Sequence, residues 1–136
     1  IETYQQKVPR FMSEYGMQSL PNFSSIQKFT ASSDWDTSSV VMKLHQKHAT
    51  GYENLKTYLH QNKLNPENFK ALIQATQQIQ SKALLIAINA HISHQPYCMG
   101  TMLWQLNDCY PGITWSLIDY YGERKKSYFV VKEAYR

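Results

Sequence analysis

Four side chains near the ends of two apolar runs have chemistry to offer. Glu14 stands between Ser13 and Tyr15, just ahead of Gly16. A carboxylate at such a point can serve as nucleophile, base or metal ligand. Trp104, Asn107 and Asp108 close the second run. An indole face stacks on the apolar C–H face of a pyranose, and carboxylate and amide groups hydrogen-bond its hydroxyls. Together these groups suit a sugar. Each residue also has a plainer role: Glu14 as an exposed acid, Trp104 as core, Asn107 and Asp108 as turn formers. Position alone does not choose between the two.

The remaining polar candidates are weaker. His45 and His48, and His91 and His94, are paired at i,i+3 and meet on a helix face. Neither pair has an acid or cysteine close in sequence to complete a metal site, so no metal is expected. His91 and His94 are expected to serve near a helix end, where positive charge is favoured. Asp34 and Asp36 flank Trp35 in a loop and read as solvated turn residues. Cys98 and Cys109 lie either side of an apolar, strand-like run. At ~3.3 Å per extended residue the run holds them beyond the ~7 Å that a disulfide tolerates. Free thiols are expected, and they assign no redox compartment.

The elements that must position these residues follow from periodicity. Val8 to Tyr15 reads as a strand opened by Pro9 and closed by Gly16. Residues 19–39 read as a long loop, with one helical turn near Ser25–Phe29. From Val40 the pattern is helical, with Val40, Val41, Leu44 and His45 on one face. Thr50 precedes Glu53 at capping-box spacing, and Leu55, Tyr58 and Leu59 share a face up to Asn62. Asn65-Pro66-Glu67 predicts the start of the longest helix. Its apolar stripe is Phe69, Leu72, Ile73, Thr76, Ile79, Ala83, Ile86, Ala87 and Ala90. Met99 to Leu106 reads as a second strand, apolar enough to be buried on both faces. Residues 113–122 read as irregular and aromatic-rich, and the last helix is expected from about Glu123 to Tyr135. Strand, helices, strand implies α/β class, parallel strands and a right-handed crossover. In such sheets functional residues sit at the carboxyl ends of the strands. Those ends are Glu14-Tyr15-Gly16 and Asn107-Asp108.

Length and charge narrow the function. The chain has 136 residues, one domain's worth, and a complete eight-stranded α/β barrel takes about 250. It begins at Ile1 without a signal pattern, so it reads as an excised or processed piece. No apolar run reaches the ~18 residues of a membrane span. The net charge is +4. Five of the 14 basic residues fall in residues 123–136, and residues 1–122 hold nine bases against eight acids. That is a solvated helix face and not a nucleic-acid footprint.

Three strings carry a family resemblance. Arg10-Phe11-Met12-Ser13-Glu14-Tyr15-Gly16-Met17-Gln18-Ser19 resembles the nucleophile segment of β-mannosidases of glycoside hydrolase family two. Gly100-Thr101-Met102-Leu103-Trp104-Gln105-Leu106-Asn107-Asp108-Cys109-Tyr110-Pro111 resembles that family's last barrel strand and the turn after it. Trp115-Ser116-Leu117-Ile118-Asp119-Tyr120-Tyr121-Gly122 is similar to a later family string. The resemblance implies a retaining exo-glycosidase acting on terminal β-D-mannose of oligosaccharides or glycoprotein glycans, with no cofactor. It implies a (β/α)8 TIM barrel, of which residues 1–136 would be the C-terminal portion. Strands seven and eight with their helices would make it predominantly helical as an isolated piece. Glu14 matches the nucleophile, and donors or cations around it are expected to keep it ionised. Trp104 matches the floor of the terminal-sugar subsite, with Asn107 and Asp108 beside it. Tyr110 stands where many relatives have Trp and would stack at the leaving-group side. Tyr15 is carried over as a hydrogen-bond support for the carboxylate. The resemblance implies relatives that are often exported in bacteria or lysosomal in animals, and it leaves the compartment of this chain open.

The family's acid/base glutamate follows an Asn on another strand, and no Asn-Glu pair occurs at a strand end here. Glu53 and Glu67 stand at helix starts, where acids favour the dipole. The chain alone is therefore expected to be inactive. Asp119-Tyr120-Tyr121 and Ser127-Tyr128-Phe129 are also similar to exo-β-glucosaminidases of the same family, and a β-galactosidase-type specificity is a further alternative. From another class, a self-standing α/β module could bind sugar or another chain without catalysis. Two uncovered strands invite pairing, so self-association, or contact with the rest of a larger enzyme, is expected.

Overall fold

The computed structural model describes Ile1 and residues 3–136. Two short parallel strands, β1 (Met12–Tyr15) and β2 (Thr101–Leu103), lie side by side. Between them run α2 (Phe23–Ile26), a 3-10 turn at Ser32–Asp34, α3 (Val40–Leu44), α4 (Gly51–Gln61) and α5 (Phe69–Ser93). A short α1 (Thr3–Gln6) precedes β1, and α6 (Lys126–Ala134) follows β2. This is the mixed α/β order expected from periodicity. Among the described residues no helix is long and apolar enough to cross a membrane.

Both strands are shorter than their apolar runs. Pro9 lacks an amide proton and cannot join a ladder, so β1 begins only at Met12. The pairing still reaches further back, with Met99 N donating to Arg10 O and Met12 N to Gly100 O. β2 is not buried on both faces. Thr101 and Leu103 turn toward the helices, whereas Met102 is 58% exposed. Met99, Trp104 and Leu106 beside it are exposed too. The helices cover one side of the pair and, among the described residues, nothing covers the other.

α5 is the organising element. Its 25 residues carry Ile73, Ile79, Ala83, Leu84, Ala87 and Ile88 into three neighbouring clusters. One cluster joins Leu20, Ile26, Met42, Tyr52, Leu55 and Ile113. A second joins Tyr15, Leu117 and Val131 against Leu84 and Ile88, and so locks β1 and α6 to α5. The helix starts later than Asn65 suggests. Asn68 is the cap, and its Oδ1 accepts from Ala71 N at 2.9 Å. The α3 stripe also differs. Val40 and Leu44 are exposed and Met42 is the buried anchor, because a helix this short presents one residue to the core. At α4 the Thr50 hydroxyl pairs with His48 Nδ1 instead of capping, so no capping box forms with Glu53. Leu55 and Leu59 face the core as their spacing implied. Cys98 and Cys109 are free thiols.

Two titratable groups expected at the surface are buried. His91 is 1% exposed, and its Nδ1 lies 2.7 Å from Thr101 Oγ1. Burial, with a smaller push from His94, lowers its pKa, so it does not supply the charge expected at the helix end. Lys125, part of the segment read as a solvated face, is fully buried at the start of α6. Its ammonium donates to Ser19 O and Thr114 O at 3.4 and 3.5 Å. Burial lowers its pKa from 10.5 to about 8, with Asp108 and Asp119 pulling the other way. Between those values the unfolded chain holds a proton that the folded chain has released, so stability rises with pH. From pH 7.5 to 9.5 the gain is roughly 2 kcal/mol. Urea midpoints at the two pH values measure it, and Lys125→Met should flatten the slope. A wild-type midpoint that stays level across this range would contradict the assignment.

Candidate active site

The site grows out of a mismatch in the strand pairing. Met12 sits opposite Thr101 and Tyr15 opposite Leu103, so three steps of β1 span two of β2. A bulge of this kind re-aims side chains and is common beside functional sites. Met12 and Tyr15 both turn toward the helices, while Ser13 and Glu14 between them are exposed. One residue on, Tyr15 O accepts from Trp104 N at 2.7 Å. That bond ties the end of β1 to the residue following β2. Trp104 continues the alternation from Met102 and is 48% exposed. The Trp104–Gln105 peptide is cis. Glu14 and Trp104 thus stand uncovered at the adjoining carboxyl ends of two parallel strands.

Gly16 makes the approach possible. A Cβ there would overlap the Trp104 carbonyl oxygen and crowd the Trp115 ring at 3.1 Å. Gly16→Ala must push two backbones apart, and overpacking of this kind costs roughly 1–3 kcal/mol. A fall in the urea midpoint with an unchanged slope is the expected result, and an unshifted midpoint would show that the strand ends yield freely.

The other proposed site residues divide. Asn107 is exposed in the turn, and its carbonyl accepts from Gln105 Nε2 at 2.7 Å. Asp108 is 8% exposed and turned inward. Its Oδ2 accepts from Thr114 Oγ1 (2.7 Å) and Ser116 Oγ (2.6 Å), and its Oδ1 from Gln105 Nε2 (3.1 Å). Both oxygens are engaged, so Asp108 fixes the turn behind Trp104 and does not offer itself to a ligand. Tyr15 is also corrected. It is 6% exposed, edge-on to Tyr4 and His91, and directed away from Glu14 into the second cluster. Burial raises its pKa. It cannot support the Glu14 carboxylate from there. Tyr110 lies half-buried and stacks on His45 at 5.0 Å, with Lys47 Nζ 4.6 Å above its ring. His45 stacks in turn on Phe29, and its Nδ1 is held by Pro111 O at 2.6 Å. Asp34 and Asp36 accept from Ala31 N and Ser38 N and are turn residues.

The donors expected around Glu14 are absent among the described residues. Among the described residues no side chain hydrogen-bonds or ion-pairs with its carboxylate. No cluster of three or more His, Cys, Asp or Glu residues suited to a metal ion occurs among the described residues.

A buried polar centre that apolar periodicity misses lies behind the strand ends. Gln80 of α5 is fully buried. Its Nε2 donates to Met17 O, Trp115 O and Ser116 O at 2.9–3.1 Å. Its Oε1 accepts from Ser19 Oγ and Ser127 Oγ at 2.8 and 2.7 Å. One amide therefore joins the segment after β1, the segment after β2, α5 and α6.

No family model matches the chain. It is 34% identical over 127 residues to β-mannosidase B of Aspergillus niger and, equally, of Emericella nidulans. Each alignment covers 90% of this chain and 15% of the relative. The chain thus spans about 15% of the length of the curated relatives it matches. The crystal structure of β-D-mannosidase from Dictyoglomus thermophilum superposes with a TM-score of 0.94 at 35% identity, over 98% of this chain and 17% of that one. An exo-chitosanase from Amycolatopsis orientalis shares the fold at a TM-score of 0.78 and 18% identity, over 91% of this chain and 16% of its own. By sequence over nine-tenths of its length and by structure over nearly all of it, the chain is a homologue of a segment of the β-mannosidases.

Proposed function

We propose that this chain is the C-terminal portion of the (β/α)8 catalytic barrel of a retaining exo-β-mannosidase, contributing strands seven and eight. The observation that carries the reading is the pairing of Glu14 and Trp104, both exposed, at the carboxyl ends of adjacent parallel strands. Barrel enzymes build their sites at that end. The sheet's uncovered side supports the same reading. Met102, Trp104 and Leu106 are exposed, and the remaining strands of a barrel would bury them.

In this mechanism Glu14 attacks the anomeric carbon of a terminal β-D-mannosyl unit as its glycosidic bond breaks. A second carboxyl group, from another part of the barrel, protonates the departing oxygen. The same group then takes a proton from water, whose oxygen displaces Glu14 and releases mannose with its anomeric configuration retained. The Trp104 indole forms the floor of the subsite under the sugar's C–H face. The bulge gives Glu14 its exposure, and Asp108 holds the turn that carries Asn107 past Trp104.

The test is hydrolysis of methyl β-D-mannoside by the intact protein that bears this chain, followed by NMR. The β-anomer of mannose should appear first, and the 136-residue chain alone should show no turnover. First release of the α-anomer would sink the retaining mechanism. Turnover by the isolated chain would sink the view that the second carboxylate lies elsewhere.

A further inference from the structure

Lys125 takes no part in the hydrolysis itself, yet its buried ammonium lies across the joint between the two segments that leave the strands. Ser19, three residues past Gly16, and Thr114, just ahead of Trp115, pair as an antiparallel bridge. Ser19 N donates to Thr114 O at 3.0 Å, and Thr114 N to Ser19 O at 3.3 Å. Lys125 Nζ donates to the same two carbonyls at 3.4 and 3.5 Å. Each oxygen uses both lone pairs, so the ammonium closes over both bonds of the bridge. The joint leads to the site on either side. From Ser19 the chain runs back through Gly16 to Glu14. From Thr114 it passes to Trp115, whose ring would meet a Cβ at Gly16 and whose carbonyl accepts from Gln105 N at 3.4 Å. Gln105 directly follows Trp104. The backbone of Lys125 ties in as well, with its N donating to Leu117 O at 2.9 Å and Leu117 N to Gln105 O at 3.1 Å.

The charges around the ammonium are two carboxylates. Asp108 acts on it from the turn after β2, and Asp119 from the bend ahead of α6. The segment after β1 from Met17 to Asn22 holds only neutral side chains. α5 faces the start of α6 with the neutral amides of Gln77 and Gln80. One cation therefore balances two buried acids. Without its charge both would stand uncompensated, and hydrogen bonds made by an ionised donor are roughly twice as strong as neutral ones. We propose that Lys125 is a positioning residue for hydrolysis: its charged ammonium clamps the segment leaving β1 to the segment leaving β2 and so holds Glu14 and Trp104 in register. The clamp rests on the glycosidase reading above for the reaction it serves. Burial lowers the Lys125 pKa to about 8, which brings the clamp within an ordinary pH series. Loss of that proton stabilises the fold, so unfolding cannot imitate loss of the clamp.

The test is the pH profile of kcat/KM for 2,4-dinitrophenyl β-D-mannoside on the intact protein. Dinitrophenolate departs without protonation, so titration of the second carboxyl group drops out of this profile. In the wild type, kcat/KM should fall about tenfold between pH 7 and pH 9 and recover when the pH is returned. Lys125→Met should be flat over the same range, about tenfold below the wild-type value at pH 7. A flat wild-type profile, or a limb that survives in Lys125→Met, would overturn the assignment. Should the wild type cleave no mannoside, the glycosidase reading fails by itself. In that case, or if Lys125→Met does not fold, hydrogen exchange on the wild type decides. Protection of the Ser19 and Thr114 amides, corrected for the intrinsic exchange rate, should fall several-fold between pH 7 and pH 9. Protection that holds across this range would reject the clamp.

Discussion

Replacing Glu14 with Gln in the intact protein should lower β-mannoside turnover by roughly 10⁴-fold or more while ligand binding changes little. A nucleophile that forms a covalent intermediate has no substitute in the site, and losses of this order follow its removal in other covalent enzymes. Gln keeps the shape and polarity of Glu but offers no anionic oxygen to the anomeric carbon. Among the described residues of this chain nothing depends structurally on the Glu14 carboxylate. Glu14 is exposed, and among the described residues its carboxylate makes no hydrogen bond. The thermal midpoint of the isolated 136-residue chain should therefore be unchanged by Glu14→Gln. Asp108→Asn is the contrasting case. Thr114 and Ser116 both donate to Asp108 Oδ2 at 2.6–2.7 Å, so this variant should lose stability before it loses chemistry. Stopped-flow turnover and calorimetry on the two variants separate these roles. Normal rates in Glu14→Gln would remove Glu14 from the mechanism.

The contrast between Glu14 and Asp108 also shows what the amino-acid order can convey. Apolar spacing places α5 and the inward faces of Leu55 and Leu59 because a helix of 3.6 residues per turn writes its buried side into the sequence. Strand ends are likewise legible from Gly16 and from the Asn107-Asp108 turn. The bulge that exposes Glu14 is not, since it exists only in the register between two strands 86 residues apart in sequence (Tyr15 and Thr101). Burial of Asp108 and Lys125 is equally hidden. Charged residues are rarely buried unless paired, and their partners follow no helical or strand period: Thr114 and Ser116 for Asp108 across a turn, Thr114 and the distant Ser19 for Lys125. The orientation of Tyr15 is hidden for a related reason. Its neighbour in sequence is Glu14, but the bulge turns it toward Leu84 and Ile88 instead.

Gln80 is the residue on which those remote segments converge, and Gln80→Met should cost about 3–5 kcal/mol. Methionine matches its length and can fill its volume, so no cavity term is needed. What is lost is five hydrogen-bond contacts, the two amide protons being shared among three carbonyls. Three buried carbonyls, of Met17, Trp115 and Ser116, lose a donor, and two hydroxyls, of Ser19 and Ser127, lose an acceptor. Each unpaired buried group costs on the order of 1–3 kcal/mol, although the hydroxyls can rotate and Trp115 O keeps Gln105 N, which limits the sum. The damage is also directed. Met17 and Trp115 sit on either side of Gly16, so the anchoring that lets Gly16 lie against the Trp104 carbonyl goes with the amide. Gln80→Met should therefore lose turnover per folded molecule as well as stability, by about 10²-fold for a displacement near 1 Å at the strand ends. Urea denaturation and turnover corrected for the folded fraction read the two effects separately. A lower midpoint with full turnover would make Gln80 a scaffold residue alone, and an unchanged midpoint would show that the five bonds are not coupled to folding at all.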